Sequence, residues 1–126
     1  MTYSVTYNPL EGIIEACVWG NTGLAELKEM VQEIAPTVKE TGCFFILTDL
    51  RAAQISLSTL DLYYLPGAIS EIMSGSNVKT YSVKRAFVIS EKMKFFHFYE
   101  DVSLNRGHLI KLFYDIDAAR KWLKHK

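Results

Sequence analysis

The residues of this 126-residue chain whose types and spacing suit chemistry fall into a few small groups. Asp49 and Arg51 lie two apart at the end of the apolar run 43–49. An arginine there can grip an anion while the aspartate orients it; the plainer reading is that Asp49 ties down its loop and Arg51 is solvated. Ser56 and Ser58 stand where a helix begins, and the N–H groups and dipole of a helix start suit a phosphate. The plainer reading makes Ser58 the cap, in Ser58-Thr59-Leu60-Asp61. His97, Glu100, Asp101 and His108 suggest a metal, with His97 and Glu100 on one helix face. Yet His108 lies beyond Gly107, and structural sites need more tightly spaced ligands, so no metal is expected. Tyr63, Tyr64, Phe95, Phe96 and Phe98 exceed what the helix faces need. Surplus rings line a pocket or cover a self-association patch; the plainer reading is an aromatic-rich core. No G-x-S-x-G, H-E-x-x-H, P-loop or G-x-G-x-x-G occurs, so no catalytic set and no cofactor is expected.

The elements that must carry these residues follow from periodicity. Residues 2–7 alternate and 13–19 form a second strand, joined by Asn8-Pro9-Leu10-Glu11-Gly12 into a hairpin. Leu24, Leu27, Val31, Ile34 and Val38 mark one face of a helix over 23–40, capped by Asn21 or Thr22, kinked by Pro36 and stopped at Gly42. The run 43–49 reads as a central strand covered on both faces. A second helix starts near Ser58 with Leu62, Leu65, Ile69 and Ile72 inward, bent or split at Pro66-Gly67. A strand at 85–90 and a helix at 93–104, with Phe95, Phe98, Tyr99 and Val102 inward, come next. A strand at 109–113 and a final helix capped by Asp115 or Asp117 complete the order ββαβαβαβα. That order predicts one α/β domain over 1–126, with a single-layer, mostly parallel five-stranded sheet, an N-terminal hairpin and four helices.

Composition sets the outer bounds. Fourteen Lys+Arg balance 14 Asp+Glu, which argues against a general nucleic-acid surface. The balance hides an asymmetry: residues 1–78 carry three basic and nine acidic side chains, and residues 79–126 carry eleven and five. If the halves take opposite sheet edges, the molecule is a dipole. No run approaches the ~18 apolar residues of a membrane span, and the start does not read as a signal peptide. Cys17 and Cys43 lack C-x-x-C spacing and read as two reduced core thiols, which together with the missing signal predicts a cytoplasmic protein.

The hairpin, the helix after Gly20-Asn21-Thr22 and the strand ending Thr48-Asp49-Leu50-Arg51 resemble the SpoIIAA-like family, named for the sporulation anti-sigma factor antagonist and related to STAS domains. The ending Arg106-Gly107 … Leu112-Phe113 … Asp115-Ile116-Asp117-Ala118-Ala119-Arg120-Lys121-Trp122-Leu123 is similar to that of its stand-alone members. The resemblance implies β-α units stacked as a short superhelix, in a fold similar to that of CRAL-TRIO lipid carriers. It also implies a regulatory role through a phosphorylated serine at the start of the second helix. Here that stretch reads Gln54-Ile55-Ser56-Leu57-Ser58-Thr59-Leu60, without the family's preceding Asp and following Gly.

The expected function is a non-catalytic binding module for a small apolar, lipid or anionic ligand at the junction of the third strand and second helix. Asp49, Arg51 and Tyr64 are its expected contacts, under a lid of the second and third helices. The alternative is a regulator of the anti-sigma antagonist kind, binding a protein partner and switched by phosphorylation at Ser56 or Ser58. A homodimer through exposed aromatics is a further expectation.

Overall fold

The computed structural model describes residues 2–125. Strands β1 (Tyr3–Asn8) and β2 (Ile13–Thr22) pair antiparallel from Tyr3↔Val18 to Asn8↔Ile13. The Asn8 carboxamide closes their turn by accepting the Leu10 and Glu11 N–H groups, and Gly12 takes the left-handed conformation, φ 68°, that the turn requires. Helix α1 (Leu24–Thr41) starts at Gly23, whose N–H is accepted by the Glu26 carboxylate. It runs through Pro36 and stops on Gly42. The cap is therefore Gly23, not Asn21 or Thr22, because β2 continues to Thr22.

Strand β3 (Phe45–Ile55) outruns its apolar core by six residues because, past a register shift at Leu50–Arg51, Ala52–Ile55 pair with Trp19–Thr22 of the long β2. Helix α2 (Thr59–Gly75) is one helix through Pro66-Gly67 rather than two. Strand β4 (Lys84–Val88), helix α3 (Phe96–Asn105), strand β5 (Leu109–Phe113) and helix α4 (Ile116–Lys124) follow. The sheet order is β1-β2-β3-β4-β5, with β1-β2 antiparallel and the other neighbours parallel. The α/β class, the strand count and the four helices are those the sequence predicts.

Winding decides the layers. Each parallel crossover steps one strand in the same direction, and right-handed crossovers taken in one direction deposit their helices on one face. Helices α1, α2 and α3 thus share a face and enclose the main core over Ile14, Ala16, Ile46, Leu50, Phe87, Ile110 and Leu112. Helix α4 lies on the other face, where Ala119 and Leu123 pack on Ile13, Leu47, Ala86 and Val88.

Two local expectations fail. In α3 the inward residues are Phe96, Tyr99 and Ser103, while Phe95 and Phe98 are part-exposed. The 3-10 turn at Glu91–Met93 delays the helix to residue 96 and rotates its face. Cys43 is buried but Cys17 is exposed, because it alternates outward between Ala16 and Val18 where the opposite face is thinly covered. The sequential strand order places β1–β3 and β4–β5 at opposite edges, but β1–β3 carry only Glu15, Asp49 and Arg51, the acidic excess of the first part sits largely on α1 and α2, and α4 carries basic residues back across the sheet.

Candidate functional site

The expected ligand residues do not converge. Arg51 clamps Asp49 with Nε to Oδ1 at 3.0 Å and Nη2 to Oδ2 at 2.9 Å, and the Arg51 N–H adds a third bond. The guanidinium beside Asp49 holds its carboxyl below the ordinary carboxylate value. Asp49 alternates with Leu47 and so belongs to the α4 side of the sheet. Tyr64 stands 62% exposed on α2, across the sheet, edge-on to Tyr63. Arg51 lines an open groove at the carboxyl ends of β3 and β4, whereas Tyr64 lines a separate one between α1 and α2. A ligand crevice at strand ends needs a reversal of strand order, and the order β1-β2-β3-β4-β5 has none.

Ser58 is the α2 cap. Its Oγ accepts the Asp61 N–H and the Asp61 carboxylate accepts the Ser58 N–H, both at 3.0 Å. Ser56 is exposed, its N–H on the Thr22 carbonyl. The helix start therefore already holds a carboxylate where a phosphate on Ser58 would sit. His97 reaches the Tyr114 hydroxyl, and Glu100 Oε2 accepts the Leu112 N–H at 2.8 Å, capping the open edge of β5. No group of three or more metal-ligating side chains is assembled among the described residues.

The concentrated chemistry lies elsewhere, inside the main core. Arg85 on β4 shares the alternation of Phe87 and of Ile89 just past the strand, and points inward beneath α2 and α3, only 3% exposed. Its Nη1 donates to the Tyr99 hydroxyl at 3.1 Å and its Nη2 to His108 Nδ1 at 3.0 Å. Its Nε–H has no acceptor. Among the described residues it pairs with no carboxylate, although the face of Phe87 lies 5.9 Å from its guanidinium carbon.

Arginine only donates, so His108 Nδ1 accepts and its ring proton sits on Nε2, which donates to Ser70 Oγ at 3.0 Å. Thr80 Oγ1 donates to the same hydroxyl at 3.3 Å. Burial, with Arg85 and then Arg106 nearby, pushes the His108 pKa from the ordinary 6.5 down to about 4. This Ser–His pair runs opposite to a hydrolytic triad. There a carboxylate holds the far nitrogen and the near one takes the serine proton; here a cation holds the far nitrogen and the near one gives its proton away. His108 is thus no base for Ser70 at neutral pH.

An interior cavity of about 30 Å³ abuts Arg85. Its walls come from α1, β3, α2, β4 and α3 and are apolar apart from Thr48, Tyr99 and Arg85. In the sequence Arg85 is simply the first residue of the strand at 85–90. The available signal was its step-two alternation with Phe87 and Ile89, which puts a guanidinium on the inward row. His108 suggests a metal ligand by residue type, whereas its neighbour in the fold is the Arg85 cation.

No helix among the described residues is long and apolar enough to cross a membrane. No family model and no curated protein matches this chain.

Proposed function

We propose that this protein is a non-catalytic binding module that holds a small anion with an apolar body between its sheet and helices α1–α3, the charged end on Arg85. One observation carries the reading: a guanidinium buried in the main core with an unused Nε–H, no carboxylate partner and an apolar cavity beside it. Guanidinium groups stay protonated in proteins, and an unpaired buried charge costs several kcal/mol. Breaches of packing rules of that size concentrate at functional sites. The polarity of the Arg85–His108–Ser70 chain supports binding over catalysis, since its histidine is spent orienting the guanidinium. The SpoIIAA-like resemblance belongs to the same proposal, supported by the quoted motifs and by the one-directional β-α winding.

The test is thermal unfolding of the wild type and Arg85→Met against a panel of small carboxylates, phosphates, sulfonates and fatty acids. Anions that bind raise the wild-type midpoint with concentration and leave Arg85→Met unmoved. A panel with no Arg85-dependent shift overturns the reading.

A further inference from the structure

We infer that the open groove outside His108, between the end of α2, residues 79–81 and Arg106, binds a phosphate group, free or on a small monoester, through Arg106, Lys79 and the Ser70 hydroxyl. The groove is separate from the cavity beside Arg85 and stands independently of the ligand proposed there. Charge is the first argument. Arg106 and Lys79 both line the groove, and Arg85 stands behind the His108 ring. No Asp or Glu lines it, and among the described residues none of the three cations pairs with a carboxylate. Lys79 lies 5.8 Å from the centre of the Tyr81 ring, a contact that leaves its N–H groups free to donate. A phosphomonoester carries about −1.5 to −2 charges at pH 7, which answers both groove cations; a carboxylate or a phosphodiester answers one.

The direction of the hydrogen-bond chain is the second. Arg85 only donates, so His108 gives its Nε2 proton to Ser70 Oγ, and Thr80 Oγ1 donates to the same oxygen. A hydroxyl has two lone pairs, and both on Ser70 are then taken. What Ser70 has left is its own proton, on the wall of the groove, with no acceptor among the described residues. The buried guanidinium thus turns the outer end of the chain into a donor. With Arg106 and Lys79 it makes three donor groups for the three terminal oxygens of a phosphomonoester.

Placement is the third. Gly67 and Ser70 are three apart on one face of α2. The missing side chain of Gly67 lets the Arg106 guanidinium close on the helix beside Ser70; a Cβ there would stand 3.2 Å from Nη1. The groove has a volume of about 220 Å³, roughly fifteen water-sized positions at ~15 Å³ each, and is open to solvent, so a phosphate enters with the rest of its molecule outside. Lys79 and Arg106 also stand past the ends of α2 and α3, where cations complement helix dipoles. Those ends are already closed by N–H groups of residues 76–78 and 106–108, which leaves the two side chains for a ligand.

The experiment is an NMR titration of the full chain, at low salt and neutral pH, with inorganic phosphate, glycerol phosphate, dimethyl phosphate and acetate. It is repeated on Arg106→Gln, Lys79→Gln, Ser70→Ala and, away from the groove, Lys111→Gln. The expected result is saturable shifts at Ser70, Lys79 and Gly107 with the two phosphates, and roughly 10-fold weaker binding of dimethyl phosphate and acetate. Arg106→Gln and Lys79→Gln each weaken phosphate roughly 10-fold, the value of a hydrogen bond to a charged group, and Ser70→Ala by a smaller factor. Arg106 and Lys79 are exposed, so their variants keep the fold. Glycerol phosphate binding at least as tightly as inorganic phosphate makes the monoester the ligand; binding of inorganic phosphate alone makes it the free ion. Acetate or dimethyl phosphate binding as tightly as phosphate, or a loss in Lys111→Gln equal to that in Arg106→Gln, overturns the site in favour of general attraction to a basic surface. An unchanged affinity in Ser70→Ala overturns the donor chain, and no saturable shift with either phosphate overturns the site outright. A failure here leaves the Arg85 reading untouched, since that reading is judged by Arg85-dependent binding and this one by Arg106 and Lys79.

Discussion

The two faces of the sheet treat charge in opposite ways. On the α4 face each charge described here is matched at the rim of a small apolar cluster. Arg120 grips Glu15 with two parallel bonds, 3.0 and 3.2 Å. Lys124 pairs with Glu11, and Lys84 reaches the carbonyls of Trp122 and His125 while lying 4.4 Å from the centre of the Trp122 ring. On the α1–α3 face a larger apolar core encloses one cation, Arg85, held only by neutral partners. The first face is built for attachment: it fastens the C-terminal helix with partners half in water. The second carries an electrostatic cost that its own stability does not need. On the function proposed above, that difference separates a structural face from a binding one, and each experiment below probes one side of it.

The largest effect falls on the matched face. Leu123 has no exposed surface and anchors the nine-residue α4 to Ile13, Leu47, Ala86 and Val88. Leu123→Ala is expected to cost about 2–5 kcal/mol in urea unfolding, as buried leucine truncations do. A helix this short does not persist without its packing, so amide exchange along α4 accelerates before global unfolding. A loss under about 1 kcal/mol would mean that α4 is not fastened by this cluster.

Next comes the histidine beneath Arg85. Between pH 6.5 and about 4 the unfolded chain holds a proton on this ring that the folded protein does not. Stability therefore falls as pH drops through that window, by on the order of 3 kcal/mol in total. Glu15 and Asp49, held low by Arg120 and Arg51, are fully effective above their ordinary values of 4.5 and 3.8 and give way only as pH falls through their lowered ones. The drop between pH 6.5 and 5 thus isolates His108. His108→Gln, which keeps an acceptor for Arg85 and a donor for Ser70, is expected to flatten the unfolding midpoint over that range; an unchanged slope would sink the assignment of the neutral tautomer.

Arg85 reverses the usual sign. Arg85→Met removes an unpaired buried cation, a costlier group to keep than the buried ion pairs whose apolar replacement ranges from neutral to stabilising by ~1–4 kcal/mol, though it takes a donor from Tyr99 and His108. Chemical denaturation of the ligand-free protein is expected to show a gain of about 2 kcal/mol. A loss of that size would make Arg85 a structural keystone of its face and would erase the contrast with the α4 side.

Most of the architecture is readable from periodicity, since the element order fixes the crossovers and their handedness leaves one face for α1–α3. The Ser58–Asp61 cap and the β5 strand at 109–113 are legible because each is local. What is illegible depends on partners distant in the chain. β3 extends to Ile55 because β2 is there to pair with it, and Phe96 displaces Phe95 because a short turn shifts the helix phase. Arg85 is the sharpest case: its row on β4 is readable, but its meaning comes from Tyr99, His108 and the absence of a carboxylate, 14 and 23 residues away for the two named partners.

The smallest effect tests whether the matched face is as plain as it looks. The Glu15 and Arg120 side chains are 28% and 26% exposed and meet in bidentate geometry across 105 residues of chain. Water screens such a pair, but the geometry is good, so a double-mutant cycle of Glu15→Gln and Arg120→Gln is expected to give a coupling of about 0.5–1 kcal/mol, shrinking in 1 M salt. Asn8 also donates to Glu15, so Arg120→Gln does not leave that carboxylate bare. A coupling above about 2 kcal/mol would mean that the pair is effectively dry. The two faces would then differ only in how completely each buried charge is paired, and Arg85 would stand out by its missing partner alone rather than by its burial.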